Sequence, residues 1–346
     1  MRGGEGQGRR LRAGGTLSAP RAAIVGIAGT ALAAEDVALF RATPPLGVIL
    51  FARNIAGPAQ VQALCASIRE ELGAEAPILV DQEGGRVARL RPPQWPAFPP
   101  AAVFEGLASP VAEANAALLG LTCREMGFDV VCAPVLDLRL PGAHQIIGDR
   151  SFSAQPAEVS RLGAAWVRGL QQAGCIPVVK HIPGHGRALV DSHLDLPRVT
   201  AGRDELAADL APFLALADCG AWAMTAHILY EAWDPLLPAT LSPKVIAQVI
   251  RGSIGFGGVL VSDDLAMKAL KGDPGALAAQ AIGAGCDLVL HCTGVLAETA
   301  AALAGCPVLG EAARARLAAA RAMAQPQPLD AAALLALRDA ELAASA

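Results

Sequence analysis

The sequence predicts an α/β protein, a single (β/α)8 barrel of the TIM type, on three observations. Short apolar runs rich in β-branched residues recur eight times, each followed by polar residues and then an Ala- and Leu-rich stretch of helical length. Alternating strand and helix implies a parallel sheet, and eight such units close into a barrel. Polar, chemistry-bearing residues gather just where these strands end, the end at which barrel enzymes build their sites. Lastly, 346 residues that are 53% hydrophobic and 17% charged suffice for one large core, and single barrels reach this length.

The predicted strands, in order, are Ala23–Ile27, Gly47–Phe51, Pro77–Val80, Val130–Ala133, Ile176–Val179, Ala221–Thr225, Val259–Val261 and Asp287–Leu290. Between them, 58–73 reads as a helix because Val61, Leu64, Cys65 and Ile68 fall at helical spacing. Residues 110–126, 156–173, 203–218, 242–252 and 274–284 behave alike. After Pro307 two helices, broken at Pro326 and Pro328, are expected on the outside or base of the barrel. Residues 21–346 are therefore expected to form one catalytic domain, and the Gly- and Arg-rich residues 1–20 a disordered extension.

Arg9, Arg10 and Arg12 precede the apolar run Ala22–Gly29, and Ala31-Leu32-Ala33 has the form of a signal-peptidase site, so export is an alternative. Cleavage there would remove the first strand, and a cytoplasmic protein is the expectation. The eight cysteines contain no CxxC pair and lie mostly in apolar runs, which reads as buried free thiols in a reducing compartment. With no run of 18 or more apolar residues after the N-terminal stretch, no membrane span is expected. A net charge of -4 without a basic stripe gives nucleic acid no footprint. No phosphate-cradling loop or GxGxxG opens a helix, so no nucleotide cofactor is expected.

Half of the six histidines fall within the fourteen residues from Lys180 to His193. Pro183, Gly184 and Gly186 make that segment a loop directly after the fifth strand, and functional groups on a loop held by a rigid strand are a common active-site layout. Asp191-Ser192-His193 suits a carboxylate that orients an imidazole, leaving its other nitrogen for proton transfer. At the seventh strand, alternation sends Val259, Val261 and Asp263 to one face and Leu260, Ser262 and Asp264 to the other. Asp263 is thus expected at the barrel mouth, and Asp264 reads as the cap of a helix from Leu265 to Leu270. Asp81-Gln82-Glu83-Gly84-Gly85-Arg86, then Arg89 and Arg91, combine carboxylate, amide and guanidinium, a set suited to the hydroxyls of a sugar; Arg150 joins them from the loop after strand four. His181, His185, His193 and Asp191 could also ligate zinc. Metal-dependent barrel hydrolases usually begin with H-x-H at the end of strand one, where this chain has Gly26-Ile27-Ala28-Gly29, so no metal is expected.

At these residues, from about Ala22 to about residue 300, the chain resembles the bacterial β-N-acetylhexosaminidases of glycoside hydrolase family 3, the NagZ type. The resemblance rests on motifs in the right order: Gly47–Phe51 with Arg53-Asn54, Asp81–Val87, Ala133–Asp137, Ile147–Phe152, Lys180–His193 and Gly258–Met267. It implies that Asp263 is the nucleophile, that His193 is the general acid/base paired with Asp191, and that Asp81, Arg89, Arg150, Lys180 and His181 hold an N-acetylglucosamine unit. It further implies cytoplasmic peptidoglycan recycling on N-acetylglucosaminyl-anhydro-muramyl peptides, with no cofactor. Ile182 stands where phenylalanine is common, and Arg187-Ala188-Leu189 where the family often has Asp-Thr. Two rivals stand beside this reading: a phosphorylase on the same residues, with phosphate in place of water, and a non-catalytic sugar-binding barrel, which would be expected to have lost Asp263 or His193, both of which this chain keeps.

Overall fold

Strands buried on both faces need apolar side chains in both directions, and in this chain the apolar runs provide them. A computed structural model describes residues 18–192 and 195–345. Its strands are β1 (Arg21–Gly26), β2 (Pro45–Leu50), β3 (Ile78–Val80), β4 (Val130–Val131), β5 (Ile176–Ile182), β6 (Arg198–Val199), β7 (Trp222–Thr225), β8 (Leu229–Tyr230), β9 (Leu260–Asp264) and β10 (Leu288–His291). Eight of them close a parallel barrel in the order β1-β2-β3-β4-β5-β7-β9-β10, while β6 and β8 pair beside it. All eight barrel strands coincide with the predicted runs.

The helices are α1 (Ala34–Ala42), α2 (Pro58–Leu72), α3 (Ser109–Met126), α4 (Pro156–Gln172), α5 (Arg203–Ala215), α6 (Pro274–Ala284), α7 (Leu296–Gly305), α8 (Glu311–Met323) and α9 (Ala331–Ala344). Val245–Ser253 winds more widely, as a π-type helix. Two expectations need correction. Helices α1 and α7 were not predicted: α7 is so rich in alanine that little apolar contrast marks its buried face, Thr299, Ala302 and Leu303. No helix follows Asp264; residues 265–270 form turns.

Strand alternation divides the core in two. Ile24, Ile49, Leu79, Val178, Met224, Val261 and Leu290 point inward and fill the barrel, while Val25, Val48, Val80, Val179, Leu260 and Val289 point outward beneath the helices. The tail closes the lower end. Leu309, Ala313, Ala320 and Ala324 from α8 and its flanks join the barrel interior, and the Leu309 amide donates to the Pro20 carbonyl at 2.8 Å. Helix α9 lies on α3, where the buried Arg338 donates to Asn115 Oδ1 at 3.4 Å. All eight cysteines are unbonded, and all but the half-buried Cys219 are buried. Among the described residues, no helix is long and apolar enough to cross a membrane.

Candidate active site

The inward rows that fill the barrel continue upward into polar residues. Two positions beyond Leu79 stands Asp81, beyond Val178 Lys180, and beyond Val261 Asp263. They surround a cavity of about 200 Å³ whose floor is Ile49, Met224 and Leu290 and whose walls include Phe51, Glu83, Arg89, Arg150, His181, His185, Ser192 and Cys292. That is smaller than the ~300–1,000 Å³ of drug-sized sites, a size for one small polar ligand. Six predicted residues converge here: Asp81, Arg89, Arg150, Lys180, His181 and Asp263.

One wall is an ion-pair network. Asp81 accepts from Lys180 Nζ at 2.9 Å and from Arg89 Nη2 at 3.1 Å. Glu83 accepts from Arg150 Nε and Nη2 at 2.8 and 2.9 Å and pairs with Lys180 at 2.6 Å. Burial alone would raise both carboxyls, but the cations outweigh it: Lys180 and Arg89 hold Asp81, and Arg150 and Lys180 hold Glu83, well below the usual carboxylate range. Burial likewise works to discharge Lys180, yet Asp81 and Glu83 raise its pKa and keep it an ammonium. Gln82 fixes the loop by accepting from the Arg89 and Leu90 amides at 2.8 and 3.0 Å. Phe51 lies under the guanidiniums of Arg53 (4.9 Å) and Arg89 (5.6 Å). Sequence reasoning marked the Asp81–Arg86 motif but gave Glu83 no role of its own. The signal was available, because residues two apart on extended backbone share a side.

A second wall is organised by Asp137, the last residue of the Ala133–Asp137 motif, to which the sequence assigned no task. Its buried carboxylate accepts from His181 Nδ1 at 2.7 Å, from the His181 amide at 3.1 Å and from the His185 amide at 2.6 Å. With Nδ1 so engaged, His181 keeps Nε2 for other partners. Burial raises the Asp137 carboxyl, but His181 more than compensates and the net shift is downward.

Asp263, at the end of β9, accepts from the Asp264 amide at 2.8 Å. Burial raises it, but His227 and His181 bring it below the ordinary carboxylate value, so it stands ionised. Asp264 turns away, its Oδ1 accepting from the Ala266 and Cys292 amides, both at 3.0 Å; it ties a turn to β10 instead of capping a helix. His227 donates from Nε2 to the Asp264 carbonyl at 2.9 Å and meets Thr240 Oγ1 at 2.7 Å through Nδ1. Burial lowers its pKa, against the opposing pull of Asp263.

The loop after β5 is held from three sides. Tyr230 donates to the Gly184 carbonyl at 2.6 Å, Arg187 donates to Asp209 of α5 at 2.6 Å, and the His144 amide donates to the Ala188 carbonyl at 2.9 Å. A Cβ at Gly186 would overlap the Leu138 carbonyl oxygen, which explains a glycine there. Asp191 is half-buried beside Ser192, and its carbonyl accepts from the Asp195 amide at 3.1 Å. The predicted acid/base, His193, lies outside the described residues. Among those that are described, no group of three or more His, Cys, Asp or Glu is arranged to hold a metal ion.

Comparison with known proteins places this chain among glycosidases. The profile of the glycosyl hydrolase family 3 N-terminal domain matches residues 19–322. A β-hexosaminidase of Alkalilimnicola ehrlichii is 41% identical over 280 residues, 78% of this chain and 80% of that protein. NagZ from Neisseria gonorrhoeae, solved in complex with N-trifluoroacetyl-D-glucosamine, has a TM-score of 0.81 at 32% identity, over 94% of this chain and 97% of that one. A family 3 β-N-acetylglucosaminidase from Paenibacillus sp. has a TM-score of 0.79 at 35% identity; 89% of this chain aligns with 63% of that longer one.

Proposed function

The chain belongs to glycosyl hydrolase family 3, and from that premise we propose that it is a retaining β-N-acetylhexosaminidase. Its substrates are terminal β-linked N-acetylglucosamine units on peptidoglycan fragments, N-acetylglucosaminyl-anhydro-muramyl peptides, and it acts in cytoplasmic cell-wall recycling. Unpaired thiols are in keeping with that compartment. Asp263 attacks the anomeric carbon while His193, charged and oriented by Asp191, protonates the departing oxygen. The covalent glycosyl-enzyme then yields to a water that gives its proton to His193, so configuration is retained. Asp81, Arg89, Arg150, Lys180 and His181 hold the sugar.

One observation carries this reading. A carboxylate kept ionised at the end of β9 opens into the same monosaccharide-sized cavity as the Asp81–Lys180–Glu83–Arg150 network. A nucleophile and a polyol cage within reach of one another are what the first step requires.

A 5-fluoro N-acetylglucosaminyl derivative, which keeps the 2-acetamido group and carries an activated leaving group, tests it. Label is expected on a peptide spanning residues 258–268, and Asp263→Asn is expected to lose nearly all turnover while still binding N-acetylglucosamine. Label on another peptide, or an active Asn variant, overturns the assignment. The same residues would serve a phosphorylase, since a histidine acid/base repels incoming phosphate less than a second carboxylate would. Assaying a chromogenic N-acetylglucosaminide with and without phosphate, and identifying the product, separates the two.

A further inference from the structure

The loop after β5 reverses the usual rule of burial. Leu189 and Val190 stand 68% and 42% exposed, while Ser192 is 3% exposed and lines the sugar cavity. Packing would favour the opposite choice, so a specific interaction must hold the serine in. Two are present. Its hydroxyl shares a hydrogen bond of 3.2 Å with His185 Nε2, and its carbonyl accepts from the Ala269 amide at 3.2 Å. His185 belongs to the loop after β5; Ala269 belongs to the turns after β9, which carries Asp263. Ser192 thus joins the loops on the two sides of the cavity.

The bond to His185 continues inward. The His185 amide donates to Asp137 at 2.6 Å, and Asp137 accepts from His181 Nδ1 at 2.7 Å. The rings of His181 and His185 meet edge to face with centroids 5.5 Å apart. His185 is itself 3% exposed. Burial and the neighbouring His181 push its pKa down to about 4, so it remains a neutral partner for the hydroxyl at working pH.

We infer that Ser192 is a positioning residue: docked between His185 and Ala269, it fixes the peptide to which both Asp191 and His193 are bonded. The inference rests on the Asp191–His193 reading proposed above. It gives the serine a task distinct from sugar binding, because a residue that acts only through its neighbours affects only the step those neighbours perform.

The test is the dependence of kcat/KM on the leaving group, since that parameter reports the first, bond-breaking step. Losing one hydrogen bond of this kind costs about 1 kcal/mol, or roughly five-fold in rate. Ser192→Ala is therefore expected to lower kcat/KM roughly five-fold for a β-N-acetylglucosaminyl disaccharide and less than about two-fold for the dinitrophenyl glycoside, whose departure needs no proton. In a His193→Ala background the same substitution is expected to add nothing, because both act on one step. Ser192→Cys, similar in size and a weak donor, is expected to fall between and serves if the alanine variant does not fold. Equal losses on both substrates, or losses that multiply with those of His193→Ala, overturn the inference and leave Ser192 a structural residue. If His193→Ala is itself insensitive to the leaving group, the acid/base reading fails, and this inference with it. If His193→Ala is sensitive and neither Ser192 variant is, only the inference fails.

Discussion

Glu83 holds two cations at once, Arg150 through paired hydrogen bonds and Lys180 through an ion pair of 2.6 Å, with all three side chains nearly out of solvent. Removing one partner of such a network leaves buried charge uncompensated, which costs about 3–5 kcal/mol. Glu83→Ala is accordingly expected to lower unfolding free energy by about that amount in urea titration. Glu83→Gln, which keeps the shape, should lose less stability and raise KM more than it lowers kcat. Asp81, Lys180 and Asp263 were legible in the sequence because each is the next member of an inward row that began with valine or leucine. Asp137 was only half legible. Its partners are a ring nitrogen and two amides 44 and 48 residues away, and no local pattern announces an acceptor of distant backbone. His227 follows its strand as a lone polar residue, and its bond to the Asp264 carbonyl depends on where the barrel closes.

At the scale of elements, the strands were legible because each is an apolar run long enough to be buried on both faces and short enough to exclude a helix. Alanine-rich α7 lacks the contrast that periodicity needs. The stretch after Asp264 has apolar residues at near-helical spacing, yet Asp264 spends its carboxylate on the Ala266 and Cys292 amides and turns the chain toward β10. The loop after β5 was legible as a loop, though not its support. Gly186 passes so close to the Leu138 carbonyl that a methyl group must displace one backbone from the other. A shift of about 1 Å at a reacting centre costs on the order of 100-fold in rate. Gly186→Ala is expected to lose activity on that scale, while Gly257→Ala, at a position with open space around it, should keep both wild-type kinetics and stability within about 0.5 kcal/mol.

Over the whole molecule, buried titratable groups set the response to acid. His185, His227 and His291 all have their pKa lowered by burial, His185 to about 4. The unfolded chain binds these protons near pH ~6.5 while the native state refuses them, so stability falls as pH drops below that value; His185 alone accounts for about 3 kcal/mol by pH 4. Asp81, Glu83, Asp137 and Asp263 have depressed values. Their stabilisation is complete above the unfolded carboxylate range and is lost as pH falls from there through their own depressed values. Asp209 and Asp264, raised by burial, work the other way, but they are fewer. The melting temperature is expected to be level from pH 7 to 8 and to fall progressively below about 6.5, with His185→Gln flattening the part of the decline between about 6.5 and 4. The stopper that α8 makes at the lower end of the barrel bears on something else. Among the described residues the packed barrel interior closes the cavity from below, so substrate, product and water all pass at the loop end. An arrival from beneath would have to cross packed valine, leucine and tryptophan.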